Sequence, residues 1–142
     1  NAANYGDYEY SICNHSDTGY NTKDTCIITK YNGSAETVTI PSTINGIKVG
    51  VIGDNAFNGN TKIKKVILPD TVIDLQSYAF ANCTNLESIN TPDSLRVIRS
   101  SAFENCTSLK YFDFNKVELV GWYILKNCQS IIRFFIPVIA RE

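Results

Sequence analysis

Residues Leu86 to Cys106 read LESINTPDSLRVIRSSAFENC, and the same unit recurs on both sides of them. Ala-Phe pairs stand at Ala56-Phe57, Ala79-Phe80 and Ala102-Phe103, a spacing of 23 residues (56 to 79, 79 to 102). Ile124-Leu125 follows 22 residues later, one residue short of the period. The segments AFNGNTKIKKVILP, AFANCTNLESINTP, AFENCTSLKYFDFN and ILKNCQSIIRFFIP then align without gaps from Ala56, Ala79, Ala102 and Ile124. A fixed period of this length marks a stacked array, in which one unit cannot bury its apolar side alone and neighbouring units share a core.

Within each unit an L-x-x-L-x-L pattern reads Ile63, Val66, Leu68; Leu86, Ile89, Thr91; Leu109, Phe112, Phe114; and Ile131, Phe134, Ile136. Its last two positions alternate as a half-buried strand does. Val38 and Ile40 supply an earlier copy. Proline follows at Pro41, Pro69, Pro92 and Pro137, where a missing N–H ends a strand, and Asn115 replaces it once. One short parallel strand per coil is expected. The Ala-Phe pair belongs on the return side, in a short helix or 3₁₀ turn at roughly 54–58, 77–82, 100–105 and 122–127. Val72 and Leu75, Leu95 and Ile98, and Val117 and Val120 carry the chain across the core.

This pattern resembles the BspA-type, or Treponema pallidum-type, leucine-rich repeats, whose motif runs L-x-x-[IL]-x-[IL]-P-x-x-[VL]-x-x-I-x-x-x-A-F-x-x-C. The stretch CIITKYNGSAETVTIPSTINGIKVGVIGDNAF, Cys26 to Phe57, is similar to the family's opening repeat, with an inserted turn at Asn45-Gly46. The resemblance spans about residues 25–137. Thr91 stands where an aliphatic is usual, Asn60 where cysteine is usual, and Ile124-Leu125 where Ala-Phe is usual. It implies an α/β solenoid, a right-handed leucine-rich-repeat superhelix with short parallel strands and helical or 3₁₀ turns. Residues 1–34 are expected to form a β-hairpin cap and 35–142 a solenoid of about four to five coils.

A solenoid exposes raw core at its ends. Tyr8 to Ile12 and Cys26 to Thr29 read as strands around a polar loop at 14–25, hence a hairpin at the N-terminal end. Cys13 and Cys26 would then lie near one another and could form a disulfide in an exported protein. At the other end Phe134, Phe135, Ile136, Val138 and Ile139 make a dense apolar run. It suits either continuation of the array or a homodimer through the C-terminal coil. No methionine occurs, so Asn1 is read as following a removed leader or a trimmed segment.

The formal net charge is −1, which argues against a nucleic-acid partner. No apolar run approaches the roughly 20 residues that cross a bilayer as a helix. Neither a phosphate cradle nor a calcium-loop pattern occurs, and no CxxC pair suggests zinc. His15 is two residues from Cys13, but nothing in the sequence orients its ring, so it reads as a solvated loop histidine. Cys83, Cys106 and Cys128 fall one coil apart at a fixed repeat position and read as buried, reduced thiols. No cofactor, metal or catalytic group is expected.

The remaining candidate is the strand face, expected to be concave. Side chains flanking each buried strand residue point outward: Thr37 and Thr39, Lys65 and Ile67, Ser88 and Asn90, Tyr111 and Asp113, Arg133 and Phe135. Tyrosine, arginine and phenylalanine often anchor interfaces. The resemblance implies an extracellular or cell-surface, adhesin-like module that binds a host or neighbouring-cell protein. A structural spacer within a longer surface protein is the other expectation, and an enzyme the least supported.

Overall fold

The computed structural model describes residues 3–16, 19–135 and 140–141, with side chains described up to Ile132. Its strands are β1 Ala3–Tyr5, β2 Tyr8–Ile12, β3 Cys26–Tyr31, β4 Thr37–Thr39, β5 Thr43–Ile44, β6 Ile47–Ile52 and β7 Lys65–Ile67. They continue as β8 Asp74–Leu75, β9 Ser88–Ile89, β10 Val97–Ile98, β11 Tyr111–Asp113, β12 Leu119–Val120, β13 Arg133–Phe135 and β14 Ala140–Arg141. Each coil therefore lays down two short strands, where the repeat pattern foretold one.

The first column holds the foretold strands. β4, β7 and β9 pair in parallel with Thr37, Lys65 and Ser88 in one row and Val38, Val66 and Ile89 in the next. β11 and β13 pair likewise, Tyr111 opposite Arg133 and Asp113 opposite Phe135. The second column is β6, β8, β10, β12 and β14, of which β8, β10 and β12 contain Leu75, Ile98 and Val120, residues expected merely to cross the core. Its inner row is Ile52, Leu75, Ile98 and Val120, all buried. The two-residue strands β8, β10 and β12 show no alternation to read, so they are invisible to periodicity.

On the return side the expected helical or 3₁₀ turns are not formed; segments 54–59, 77–82, 100–105 and 122–127 are non-helical turns. Their backbone donors explain why. The N–H groups of Asn55, Phe57 and Gly59 donate to the carbonyls of Ser77, Ala79 and Ala81 of the next coil, while Ala56, Asn58 and Asn60 donate three residues back. Tyr78, Phe80 and Asn82 repeat the alternation toward Ser100, Ala102 and Glu104. A helix would spend every donor internally; here every second one stitches coils together. The alternation turns on left-handed backbone either side of each apolar pair: Asn55 and Gly59 (φ 60° and 79°), Tyr78 and Asn82 (59° and 59°), Ser101 and Asn105 (61° and 63°), Tyr123 and Asn127 (62° and 62°). The last coil keeps this geometry although Ile124-Leu125 replaces Ala-Phe, and Ile124 is buried like the alanines.

Between the columns lies the apolar filling. The rings of Tyr31, Phe57, Phe80 and Phe103 stack face to face at 5.1, 4.8 and 5.5 Å, and Phe112 closes edge-on at 5.1 Å from Phe103. Alanine beside each phenylalanine leaves room for this layer spacing. Gly121 serves a similar need at close quarters, since a Cβ there would lie 2.5 Å from the Ser100 nitrogen. Carboxamides run beside the rings: Asn82 donates to Asn58, Asn105 to Asn82 and Asn127 to Asn105, at 2.7–2.9 Å.

At the N-terminal end β2 and β3 pair antiparallel as expected, and β1 adds to β2. β3 then pairs in parallel with β6, so the hairpin's sheet runs unbroken into the second column. The foretold turn links β5 to β6, with Asn45 and Gly46 both at positive φ (51° and 80°) as a two-residue hairpin turn requires. The Cys13–Cys26 disulfide is not formed. Both are free thiols: Cys13 donates to the His15 carbonyl at 3.0 Å, whereas Cys26 lies in the core against the Ile44 and Ile47 carbonyls. Their neighbours on the strands explain the separation. Cys26 sits opposite Ile12 and the Cys13 N–H bonds the Thr25 carbonyl, so Cys13 and Cys26 occupy successive positions, which face opposite sides.

Candidate functional site

The first column presents its outer rows to solvent. Lys65, Ser88 and Tyr111 are exposed, with Val66, Ile89 and Phe112 buried directly beneath. Tyr111 is 41% exposed, a large ring held out on a fixed backbone. In the adjoining row Ile67 and Asp113 are half-buried. Asn90 has a structural task that its position in the sequence conceals. Its carboxamide accepts from the Leu68 N–H at 2.7 Å and donates to the Leu68 carbonyl at 2.9 Å, standing in for a strand pair where β9 has ended. The Asp113 carboxylate likewise accepts from the Asn115 N–H at 2.8 Å and shapes the turn after β11. Arg133 and Phe135 are placed in register by β13; their side chains lie outside the described residues. So do 136–139, and with them the apolar run expected as a homodimer seam.

Charge on this face is mixed. Lys64 pairs with Glu36 at 3.5 Å and Lys116 with Asp93 at 3.4 Å, both exposed. Hydrogen bonding from Asn115, then the Lys116 ammonium, holds the Asp93 carboxyl below its usual range. Exposed pairs of this kind contribute little to stability, and they leave the face without a dominant sign.

Among the described residues no group of three His, Cys, Asp or Glu side chains could hold a metal ion. A hollow of about 250 Å³ opens beside the first return turn, lined by residues that include Tyr31, Gly33, Phe57, Asn58 and Asn60. That is below the ~300–1,000 Å³ of ordinary small-molecule sites. No helix among the described residues is long and apolar enough to cross a membrane.

The repeat cysteines are structural. Each thiol donates to the phenylalanine carbonyl of the coil before it: Cys83 to Phe57 at 3.2 Å, Cys106 to Phe80 at 3.1 Å and Cys128 to Phe103 at 3.1 Å. Burial pushes the Cys83 thiol up to about 12. Contact with Cys128, then burial, pushes Cys106 up, and that contact holds half-exposed Cys128 down. At pH 8 an alkylating reagent should therefore modify Cys128 well before Cys83 and Cys106, as peptide mass spectrometry would show; equal rates for the three would refute the buried ladder. The unfolded Cys83 thiol ionises from its ordinary 9.0 and the folded one near 12, so this contribution to stability is whole below pH 9 and declines as pH rises through that window. Tyr8, raised to about 12 by burial, then by Tyr31 and Asp7, acts in the same direction.

A third exposed feature escaped the sequence reading. Tyr78, Trp122 and Tyr123 stand out on the return side, 42%, 57% and 62% exposed. They occupy the positions just before the apolar pair, where the other coils carry Asp54, Asn55, Ser77, Ser100 and Ser101. The variability of those positions was the available signal.

Two strand columns, a face-to-face phenylalanine stack and asparagine and cysteine ladders define a repeat solenoid. The chain belongs to the BspA type leucine rich repeat family, whose model matches residues 29–141 in six copies. It is similar to a leucine-rich repeat protein of T. pallidum, at 31% identity and a TM-score of 0.81 over 93% of this chain, and spans 59% of that protein's length. A leucine-rich repeat protein of Bacteroides capillosus is 25% identical with a TM-score of 0.76, covering 99% of this chain and 98% of its own. A leucine rich cell surface protein of Faecalibacterium prausnitzii is 25% identical with a TM-score of 0.69, covering 96% of this chain and 42% of its own. No curated protein matches.

Proposed function

We propose that the chain is a non-catalytic, adhesin-like module, extracellular or on the cell surface, that docks a protein of a host or neighbouring cell on its strand face. The supporting observation is Tyr111, an exposed ring over a buried Phe112, in register with Arg133 on a backbone that the coils hold rigid. Pre-organised aromatic groups are what interfaces use as anchors. Lys65, Ile67, Ser88 and Asp113 surround it, Phe135 extends the row, and Asn90 contributes by holding β9's end in place. Residues 1–34 close the N-terminal end of a 35–142 solenoid of about four to five coils in this reading. The cell surface protein of F. prausnitzii supports the location.

The test is capture on immobilised extracellular-matrix and host-surface proteins, comparing the native chain with a Lys65→Ala, Tyr111→Ala variant. Loss of about tenfold or more in affinity is expected for an anchor residue. Equal binding by both forms would remove the strand face as the docking surface. A spacer role is the second reading, favoured by the length of the F. prausnitzii relative, of which this chain covers 42%.

A further inference from the structure

Cys106 and Cys128 form a pair of thiols that differ in access. Cys106 has no exposed surface, and Cys128 is half-exposed. They hold the same repeat position in successive coils. The coils are bonded directly before them: the Asn105 N–H donates to the Lys126 carbonyl at 2.8 Å, and the Asn127 carboxamide to that of Asn105 at 2.8 Å. One oxygen then joins the pair. The Phe103 carbonyl accepts from the Cys106 N–H at 3.2 Å and from the Cys128 thiol at 3.1 Å. The two side chains also hydrogen-bond to one another.

That contact separates their protonation. It holds the Cys128 thiol below its usual range and, together with burial, pushes Cys106 up. A thiol has a single proton to donate. Cys106 gives it to the Phe80 carbonyl at 3.1 Å while Cys128 is neutral, and turns it to the Cys128 sulfur once that sulfur is charged. The other cysteines lack the access. Cys26 and Cys83 have no exposed surface, and Cys13 is buried and donates to the His15 carbonyl. Thiolate character, access and a second sulfur alongside are what a redox-reactive cysteine needs.

We propose that Cys128 and Cys106 are a peroxide-reactive pair, Cys128 the attacking sulfur and Cys106 the resolving one, and that a disulfide between successive coils is the product. The Cys128 thiolate attacks one oxygen of hydrogen peroxide. An S–O bond forms, the O–O bond breaks, and hydroxide leaves and takes up the proton that Cys128 had released. Cys128 is then a sulfenic acid. The Cys106 sulfur attacks it; the S–S bond forms, the S–O bond breaks, and the departing hydroxide leaves as water with the Cys106 proton. The two thiols have lost two electrons and the peroxide has gained them. Cys106 gives up its bond to the Phe80 carbonyl and Cys128 its bond to the Phe103 carbonyl, so one covalent link replaces two hydrogen bonds between coils. The reaction is stoichiometric and independent of the strand face.

The chain has no methionine, so sulfur oxidation is confined to cysteine, and trypsin places Cys83, Cys106 and Cys128 in separate peptides, 66–96, 100–110 and 127–133. The whole chain is treated with hydrogen peroxide at neutral pH. Its remaining thiols are blocked with iodoacetamide in denaturant, and the unreduced digest is read by mass spectrometry. Peptides 100–110 and 127–133 are expected to be joined, two hydrogens lighter than the pair, with Cys83 alkylated, and dithiothreitol should separate them. A Cys106→Ser variant keeps a hydroxyl donor for the Phe80 carbonyl and should stop at the Cys128 sulfenic acid, which dimedone traps. A Cys128→Ser variant should lose its Cys106 thiol about tenfold or more slowly than the native chain. The native-chain result stands without either variant. If Cys106 and Cys128 stay alkylated in separate peptides, the proposal is overturned, and so it is if Cys106 links to Cys83 instead.

Discussion

Replacing Phe80 with alanine is expected to destabilise the chain by about 3–5 kcal/mol, the range for removing a fully buried aromatic side chain. Phe80 has no exposed surface and lies between Phe57 at 4.8 Å and Phe103 at 5.5 Å. The cavity cannot close easily, because the arcs above and below are spaced by backbone bonds, Phe57 N–H to Ala79 carbonyl and Phe80 N–H to Ala102 carbonyl. Domains are stable by about 5–15 kcal/mol in total, so the loss is a large share. At roughly 2–4 °C per kcal/mol for a chain of this size, the melting temperature should fall by about 6–20 °C. Phe80→Leu keeps most of the volume and forfeits the ring pairing, and should cost about 1–2 kcal/mol. Urea unfolding followed by circular dichroism measures both. A Phe80→Ala loss under about 1 kcal/mol would mean that the stack is not the core's central support.

The same stack explains what could be read in advance. The Ala-Phe period states the coil length directly, because each layer must present a small residue and a ring at the same height. Val66 and Phe112 were likewise legible as inward strand positions, since three-residue strands still alternate, and Ile89 by standing at the same place in the repeat. The return turns were not. An apolar pair every coil fits a helical turn as well as an arc, and the distinguishing signal is left-handed backbone. Gly59, Asn82, Asn105 and Asn127 announce it on one side; on the other, Tyr78, Ser101 and Tyr123 disguise it. The disulfide expectation placed Cys13 and Cys26 together by hairpin proximity, and one residue of register put them on opposite faces. On the candidate face, exposure was legible for Lys65, Ser88 and Tyr111, whereas Asn90's bond to the neighbouring coil depends on where β9 stops.

Asp74 shows most clearly what a scattered acidic residue can conceal. It occupies β8 in a row with Val51 and Val97, on the side of the second column away from the core, and is only 3% exposed. Arg99 grips its carboxylate with two nitrogens, Nη2 at 2.9 Å and Nε at 3.3 Å. The guanidinium is 28% exposed, so water reaches one side of the pair. Arg99→Ala removes this two-nitrogen grip from a carboxylate that lies between two valines. The expected loss is about 2–3 kcal/mol, below the ~3–5 kcal/mol of a fully buried pair because solvent screens the open side. Asp74→Val together with Arg99→Leu should instead come within about 1 kcal/mol of the native chain, since two apolar residues then continue the row already formed by Val51 and Val97. Chemical denaturation of the single and double variants decides between two roles for the pair. If the double variant is as unstable as Arg99→Ala, the ion pair stabilises this sheet in its own right. If the double variant recovers, the pair is a polar replacement that the solenoid tolerates between coils, and the apolar stack on the inner side of Leu75 and Ile98 supplies the stability.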